Sequence, residues 1–427
     1  MTSQGLLRHR DFRHLWAAET VSQVGTQVTL LALPVVAVTV LDATPLQMGF
    51  LTALETAAFL LIGLPAGAWV DRWRRKRVLV TADLVRAVVL ATLPIAYLLD
   101  VLTLGHVFVV AAVTGTATVF FDVAYQSYLP TLVDRHQIVD GNGKLEASRA
   151  VAQVAGPGAT GVLLRVLGAP LLLAVDAVSY LLSALFLAGI GKPDTVPDRA
   201  LRRPLRAEIA EGLSFVVRHP LLRRIVACTG TANLFGSMTN ALLVLYVIRT
   251  LGLSESTLGL VFSLGAVGGL VGAATAAWFV RRVGEGRAIP LAAIVCAVSS
   301  ALVPLAVLGH PRVLLIAGWA GLSWGVVAYN VVQVSFRQRL CPPALLGRMN
   351  ASVRFIVFGT MPLGGLLGGV LGEWLGVLPA LWIAAAGAFV ACLPVVLSPL
   401  MTMRALPDEL DATVPADGAP VGSAGAG

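Results

Sequence analysis

The chain is short of charge. Only 13% of its 427 residues are Asp, Glu, Lys or Arg, about half the share of a soluble globular protein, and 57% are hydrophobic. Cysteine is nearly absent: Cys228, Cys296, Cys341 and Cys392 stand apart without CxxC spacing. That pattern implies neither a disulfide framework nor a zinc site and leaves the four as small apolar packing residues. The six histidines fall in termini, loops or segment edges, so no metal centre is expected. There is no GxxxxGK[ST] loop, which argues against a self-contained ATP-driven pump, and no clustered His, Cys or Ser centre that would mark an enzyme. No cofactor is implied.

What is present is a series of long apolar segments, at about residues 13–41, 46–71, 78–99, 105–128, 144–168, 170–191, 222–249, 256–280, 288–309, 313–336, 344–372 and 376–402. Each is long enough to cross a hydrocarbon core of roughly 30 Å at about 1.5 Å per residue. An excess of 31 Lys and Arg over 23 Asp and Glu would suggest nucleic acid in a soluble chain, but here the cations fall in alternate loops and no nucleic-acid partner is expected. Arg8, Arg10 and Arg13, five of the six positions from Arg72 to Arg77, Arg135 and Lys144, the Lys192–Arg224 stretch, Arg281, Arg282, Arg287, Arg337, Arg339, Arg348 and Arg404 share one face. Arg165, Arg249 and Arg312 fall on the other. The bias predicts that both termini are cytoplasmic, in the plasma membrane of a prokaryote. The first segment is too long for a signal-peptide core and lacks a cleavage pattern, so it is expected to remain as a helix.

The expected architecture is all-α integral membrane, with twelve transmembrane helices in two six-helix bundles: residues 1–191, then 222–403. Between them, 192–221 reads as a cytoplasmic linker whose Ile209, Leu213, Val216 and Val217 give a short amphipathic helix. Residues 404–427 turn to Pro, Ala, Gly and acid, and are expected to be a disordered cytoplasmic tail. The halves repeat: Met48-Gly49-Phe50-Leu51 matches Leu258-Gly259-Leu260-Val261, and Ala147-Ser148 matches Ala351-Ser352, each followed by a Gly-rich helix. Such a duplicated layout is that of a secondary transporter.

Two motifs carry a resemblance. Gly67-xxx-Asp71-Arg72-x-Arg74-Arg75-Lys76 resembles the loop between helices 2 and 3 of the major facilitator superfamily, with Arg74 where that family prefers Gly. The second-half copy, Trp278 to Gly284, keeps the cations and loses the acid. Gly156-Pro157 and Gly161 in span 5 resemble the signature of exporters in that superfamily; small residues let helices approach closely, and Pro157 removes a backbone hydrogen bond. Ordinary helix packing is the other reading of this motif. Leu129-Pro130 leading to Asp140–Arg149, and Glu211 to Leu221, are similar to the drug and siderophore exporter branch, although span 4 lacks the arginine of many drug/proton antiporters.

The resemblance implies that spans 1, 4, 7 and 10 line a central cavity. Polar stripes on those spans fit a substrate cavity: Glu19, Gln23 and Gln27; Thr118, Asp122 and Gln126; Thr229, Asn233, Ser237 and Asn240; Asn330 and Gln333. Hydrogen bonding between helices is the alternative use of the same groups. Phe120, Phe121, Tyr125, Phe235, Trp324 and Tyr329 accompany them, which suits an amphipathic organic solute better than a sugar. Charges inside spans are costly and therefore mark function. The resemblance implies a gating network of Gly67, Asp71, Arg72, Arg75 and Lys76 with Asp83, Arg86, Asp122 and Arg149, against static ion pairing. Glu55 and Glu19 are the proton-carrier candidates, against cavity-solvated carboxylates. The glycine ladder Gly364, Gly368, Gly372, doubled by Gly365 and Gly369, is expected to pack the halves together.

The expected function is export of a hydrophobic or amphipathic small molecule by alternating access, in exchange for protons, by a monomer in the lipid bilayer. A siderophore or lysolipid exporter, or a non-transporting receptor or assembly protein, are the alternatives.

Overall fold

The computed structural model describes residue 6 and residues 9–70, 72–134, 137–192, 205–341 and 346–406. The first half comprises α1 (Arg10–Thr39), α2 (Pro45–Leu61), α3 (Gly63–Val70), α4 (Arg75–Leu98), α5 (Leu104–Leu132), α6 (Ile138–Leu167) and α7 (Ala169–Ala188). A connecting helix, α8 (Leu205–Arg218), leads to the second half: α9 (Pro220–Leu245, continued by a π turn over Tyr246–Thr250), α10 (Glu255–Val283), α11 (Glu285–Leu305), α12 (Pro311–Leu340), α13 (Leu346–Leu375) and α14 (Val377–Val396). Among the described residues eleven helices are long and apolar enough to cross a membrane, and the shorter apolar α2 with α3 completes a set of twelve.

Span 2, expected as one helix, is broken at Ile62. Pro65 has no N–H, and its ring crowds the carbonyl four residues back, that of Leu61, which is where α2 ends. At its other end α2 is firmly started: Thr44 and Gln47 form a reciprocal capping box and Pro45 stands at the first helical position. In α8, Val216 is buried while Leu213 and Val217 are exposed, so the helix docks on its Phe215–Val216 side rather than on the whole apolar set expected. Ile209 lies among side chains outside the described set. At the far end, Leu406 is buried and Gly284 packs against Arg404, so packed structure extends to residue 406; residues 407–427 lie outside the described residues.

The internal repeat is visible in the backbone. Spans 5 and 6 are joined by the single residue Gly168 (φ 73°, ψ 157°), and spans 11 and 12 by Gly376 (φ 94°, ψ 158°), a left-handed conformation that glycine adopts without Cβ strain. Pro94 in α4 recurs as Pro304 in α11, and Pro157 in α6 as Pro362 in α13.

The two halves meet along two glycine seams. On one, Gly49 of α2 lies on Gly365 and Gly369 of α13; on the other, Gly259 of α10 lies on Gly161 of α6. These seams are the same seam repeated, since the motif containing Gly49 matches the one containing Gly259. Within α13 the ladder is divided: Gly364 and Gly368 accept Leu234 and Met238 of α9 in their own half, Gly365 and Gly369 face α2 of the other half, and Gly372 meets both Leu242 of α9 and Pro45 of α2.

The apolar core is arranged unevenly. At the face away from the basic loops, one cluster runs continuously through both halves, from Val28–Val38, Met48 and Leu51 to Met238–Val247, Leu258 and Val261. At the basic face each half keeps its own core, around Phe12, Phe121 and Tyr128 in the first and around Ile225, Tyr329 and Phe336 in the second. The halves thus share one apolar core at one face and keep separate apolar cores at the other.

A methyl group added at Gly161 would sit 3.0 Å from the Cα of Gly259 and 3.0 Å from the carbonyl oxygen of Ser256, both backbone atoms that cannot step aside. Gly161→Val is therefore expected to destabilise the detergent-purified protein by about 1–3 kcal/mol, the usual cost of overpacking. Gly105→Ala, where the added methyl meets nothing within 4 Å, is expected to leave the melting temperature in place or raise it. Equal melting temperatures for Gly161→Val and the parent would contradict the seam.

Candidate functional site

The first half holds a buried polar cluster between α1, α4, α5 and α7. Glu19 is 6% exposed. Its Oε1 accepts a hydrogen bond from Gln23 Nε2 at 2.7 Å, one helical turn away, and its Oε2 is buried without a partner. Asp122, Arg149 and Arg86, on three different helices, act on it electrostatically. Deeper in, Asp83 and Arg86 form a buried ion pair within α4, one turn apart as expected from their spacing. The guanidinium of Arg86 lies between two rings, with its Cζ 4.3 Å from the centroids of both Phe121 and Tyr180. The Tyr180 hydroxyl is 3.1 Å from the Thr26 hydroxyl, and Asp176 accepts from Thr29 and, at 2.8 Å, from Ser179. Gly25 makes this possible: a methyl there would overlap both Ser179 and Asp176.

The second half holds a cavity of about 280 Å³ between α9, α11, α12 and α14. Its wall is mainly apolar, with Phe235, Trp319 and Tyr329 as its rings and Asn233, Asn240 and Asn330 as its amides. Gln333, behind the wall, donates to Asn330 Oδ1 at 2.9 Å, and Asn233 donates to the Val357 carbonyl at 3.2 Å, so two of the amides are oriented by neighbours. An apolar chamber with a few oriented polar groups binds amphipathic organic molecules.

The residues singled out in the sequence are distributed unevenly over these features. Asn233, Asn240 and Asn330 line the chamber, while Gln23, Gln27, Asp122, Gln126 and Gln333 do not. Gln27 lies against Gly156, which has no side chain to displace it, and Gly161 forms the seam with α10, so the span-5 motif is a packing surface on two sides. Asp122 is half-buried on α5, where Arg354 from the second half is the cation that acts on it most, ahead of Arg86 and Arg149. Arg354 also donates to Gln126 Oε1 at 3.0 Å across the gap between the halves. Asp83 and Arg86 pair with each other inside one half, and Arg149 is exposed. Lys76 ties the start of α4 to the end of α7 through the carbonyls of Ala188 and Ile190, at 2.9 and 2.6 Å. Gly67 faces open space, Arg72 is exposed, Arg75 begins α4, and Asp71 lies outside the described residues. Glu55 is half-buried on α2 with its backbone carbonyl against Gly115 of α5.

Three contributors, Trp319, Tyr180 and Arg249, carry no signal for the site in the sequence, whereas Asp176 is marked there as a charge inside a span. Trp319 lines the chamber, whereas Trp324, taken for a cavity aromatic, turns away and donates to Thr275 of α10 at 3.0 Å. Gly265 is the missing signal for Trp319, because it is the position on α10 that receives the indole. Asp176 and Tyr180 complete the first-half network. Arg249, counted only as one of three cations on the minor face, donates to the carbonyls of Val38 and Ala43 at 2.9 and 3.0 Å and lies 3.5 Å from Asp42. It thereby ties the end of span 7 to the turn between spans 1 and 2.

The Major Facilitator Superfamily family model matches residues 15–356 and, in a second overlapping match, residues 225–420. The chain is 29% identical over 378 residues to the multidrug efflux pump Tap of Mycolicibacterium fortuitum, covering 85% of this chain and 89% of that one. It is 22% identical over 401 residues to the macrolide efflux protein A of Streptococcus pyogenes, covering 92% and 97%. Among solved structures, a mutant of the nucleoside transporter NupG superposes with a TM-score of 0.76 at 14% identity, covering 91% of this chain and 99% of that one. A bacterial homologue of the iron transporter ferroportin, in its inward-facing state, superposes at 0.73 with 18% identity, covering 92% and 99%.

The buried Asp83–Arg86 pair generates a stability prediction. Arg86→Met leaves the Asp83 carboxylate without its counter-ion and is expected to cost about 3–5 kcal/mol, read as a lower melting temperature. Adding Asp83→Asn to the same chain removes the stranded charge and is expected to recover most of the loss. A double variant as unstable as the single one would contradict the pairing.

Proposed function

The chain belongs to the major facilitator superfamily, and from that membership we propose that it exports hydrophobic or amphipathic small molecules by alternating access, in exchange for protons. It is a multi-pass membrane transporter of the drug exporter-like kind rather than an enzyme. In this reading the basic face is cytoplasmic, the bundles span residues 1–191 and 222–403, residues 192–221 join them in the cytoplasm, and one chain holds the whole pathway.

One observation carries the proposal: the halves share an apolar core at one face and keep separate cores at the other. That arrangement supports a transporter whose halves part toward the basic face. A solute enters there and reaches the apolar chamber of the second half, where rings and amides hold it. Release on the far side requires the shared core to part and the basic face to close, with rocking along the two glycine seams, whose side-chain-free backbones present little obstruction. The efflux activity named for Tap and for the macrolide efflux protein supports export as the direction.

Proton exchange rests on Glu19. Its spare buried oxygen can hold a proton, and Asp122, Arg149 and Arg86 reach it from three helices, so its charge bears on how those helices sit together. Asp122 in turn feels Arg354 of the other half, which links the charge on α1 to the distance between the halves. Glu55, on the seam helix α2, is the second carrier.

Efflux of a macrolide and of a lipophilic cation from proteoliposomes is expected to accelerate when the compartment receiving the solute is acidified. Glu19→Gln is expected to abolish that acceleration, a loss of at least about tenfold or roughly 1.4 kcal/mol. Gradient-driven efflux that survives both Glu19→Gln and Glu55→Gln would refute this coupling. The chamber has its own test at Gly236, which lines it and where an added Cβ meets nothing within 4 Å. Gly236→Leu is expected to fill the space and weaken macrolide binding about tenfold or more without lowering the melting temperature. Unchanged affinity would place the solute elsewhere.

A further inference from the structure

A second cavity lies outside the transport pathway. It is a groove of about 790 Å³ between α4 and α5, at the edge of the basic face. Its floor and walls are Val78, Ala82, Val85, Ala112, Val113, Ala117 and Phe120, and its mouth carries Arg72, Arg74 and Arg77 with Trp73 between them. The side chains beside it show which way it opens. On α4, Arg77, Thr81, Leu84 and Val88 form one exposed stripe at helical spacing; on α5, Val109 and Thr116 are exposed on the flank that carries Ala112 and Val113. Apart from the basic end and the two threonines, these surfaces are hydrocarbon, so in a membrane they face acyl chains.

The mouth is held in place by aromatic packing. Trp69 and Trp73 lie on the same ring, Phe120, with centroids at 6.1 and 5.9 Å, which fixes the loop that bears Arg72 and Arg74 against α5. Arg72, Arg74 and Arg77 are exposed and make no hydrogen bond or ion pair within the described structure. Lys76, by contrast, is turned to the other side of α4, onto the α7 carbonyls. From Arg77 to Val85 the groove runs about 12 Å along α4, most of one leaflet's share of a roughly 30 Å hydrocarbon core.

We propose that this groove is a binding site for a phospholipid with an anionic headgroup: the phosphate-bearing head sits among Arg72, Arg74 and Arg77, and one acyl chain lies along Val78, Val85, Ala112 and Val113. Three guanidinium groups converging at the polar end of an apolar slot match the charge and the shape of one lipid molecule at the leaflet boundary. The site is separate from the solute chamber, since the two share no residue and lie in different halves.

The probe is dibrominated phosphatidylglycerol, compared with dibrominated phosphatidylcholine at equal mole fraction, in nanodiscs holding the full chain. Bromine quenches a nearby indole, and the difference between the parent and Trp73→Phe isolates the signal of Trp73. The expected result is that Trp73 is quenched at a several-fold lower mole fraction by the phosphatidylglycerol, and that Arg72→Gln with Arg74→Gln and Arg77→Gln brings the two lipids to parity. Each guanidinium removed should weaken the preference about fivefold. Ala112→Phe, which leaves the cations and fills the slot, is expected to reduce quenching by both lipids. Equal quenching by both lipids in the parent, or a preference that persists in the triple variant, overturns the proposal. Loss of the preference on adding soluble glycerol phosphate, which has no acyl chain, overturns the lipid as the occupant. The readout is independent of efflux, so it succeeds or fails apart from the transport reading.

Discussion

The apolar core shared by α1, α2, α9 and α10 at the face away from the basic loops joins two six-helix bundles into one molecule. Apolar side chains gain little by leaving lipid for each other, so such a joint rests on close packing and on polar groups that have nowhere else to go. Both are present. Met48, Leu51, Met238 and Leu242 fill the middle of the cluster, and the Arg249 guanidinium closes its edge by satisfying carbonyls at the end of α1 and in the turn before α2. Among the described residues the opposite face has no counterpart of this cluster, so the apolar cores of the two halves part there, toward the basic loops.

The internal duplication gives this arrangement its mechanics. Gly49 against Gly365 and Gly259 against Gly161 are two copies of one contact, with first-half and second-half partners exchanged. In the proposed cycle, such a pair of contacts on either side of the molecule would let the halves tilt while backbone stays on backbone. Proline at matched depth in α4 and α11, and within one residue of matching in α6 and α13, repeats the theme, each removing a helical hydrogen bond. The charge cluster is not duplicated. Glu19, Asp83, Arg86, Asp122 and Asp176 all belong to the first half and the apolar chamber to the second, so in the proposed cycle the duplicated bundles would divide the work between carrying charge and holding solute.

Much of this was legible in the chain itself, for identifiable reasons. Membrane spans are long and uniform in composition, and a bilayer of fixed thickness leaves little choice in their number. Asp83 with Arg86 and Glu19 with Gln23 were readable because they sit on one helix at one-turn spacing, where geometry alone brings them together. Gly161 and Gly259 were each recognisable as part of a motif, but nothing local shows that the two meet. The break at Ile62 was hidden because Pro65 sits in an apolar run that hydropathy does not interrupt. Arg249, Arg354 and Trp319 act across helices remote in sequence, and nothing local distinguishes an arginine that bridges two bundles from one that merely orients a loop. Trp324 and Trp319 are five residues apart on one helix, so only the small Gly265 opposite decides which indole turns inward.

Arg249 is where the account is most directly open to test. The measurement is the distance between spin labels on the two halves, taken by double electron–electron resonance in nanodiscs on a chain whose four native cysteines are replaced. One pair, at Val101 and Leu308, reports the fused face; the other, at Asp134 and Gln338, reports the open one. If the shared core and its arginine hold the molecule open toward the basic loops, Arg249→Ala shifts the population so that the first distance lengthens and the second shortens. Distances that both stay unchanged in a folded protein, or that lengthen together, would contradict a rocking joint at this core.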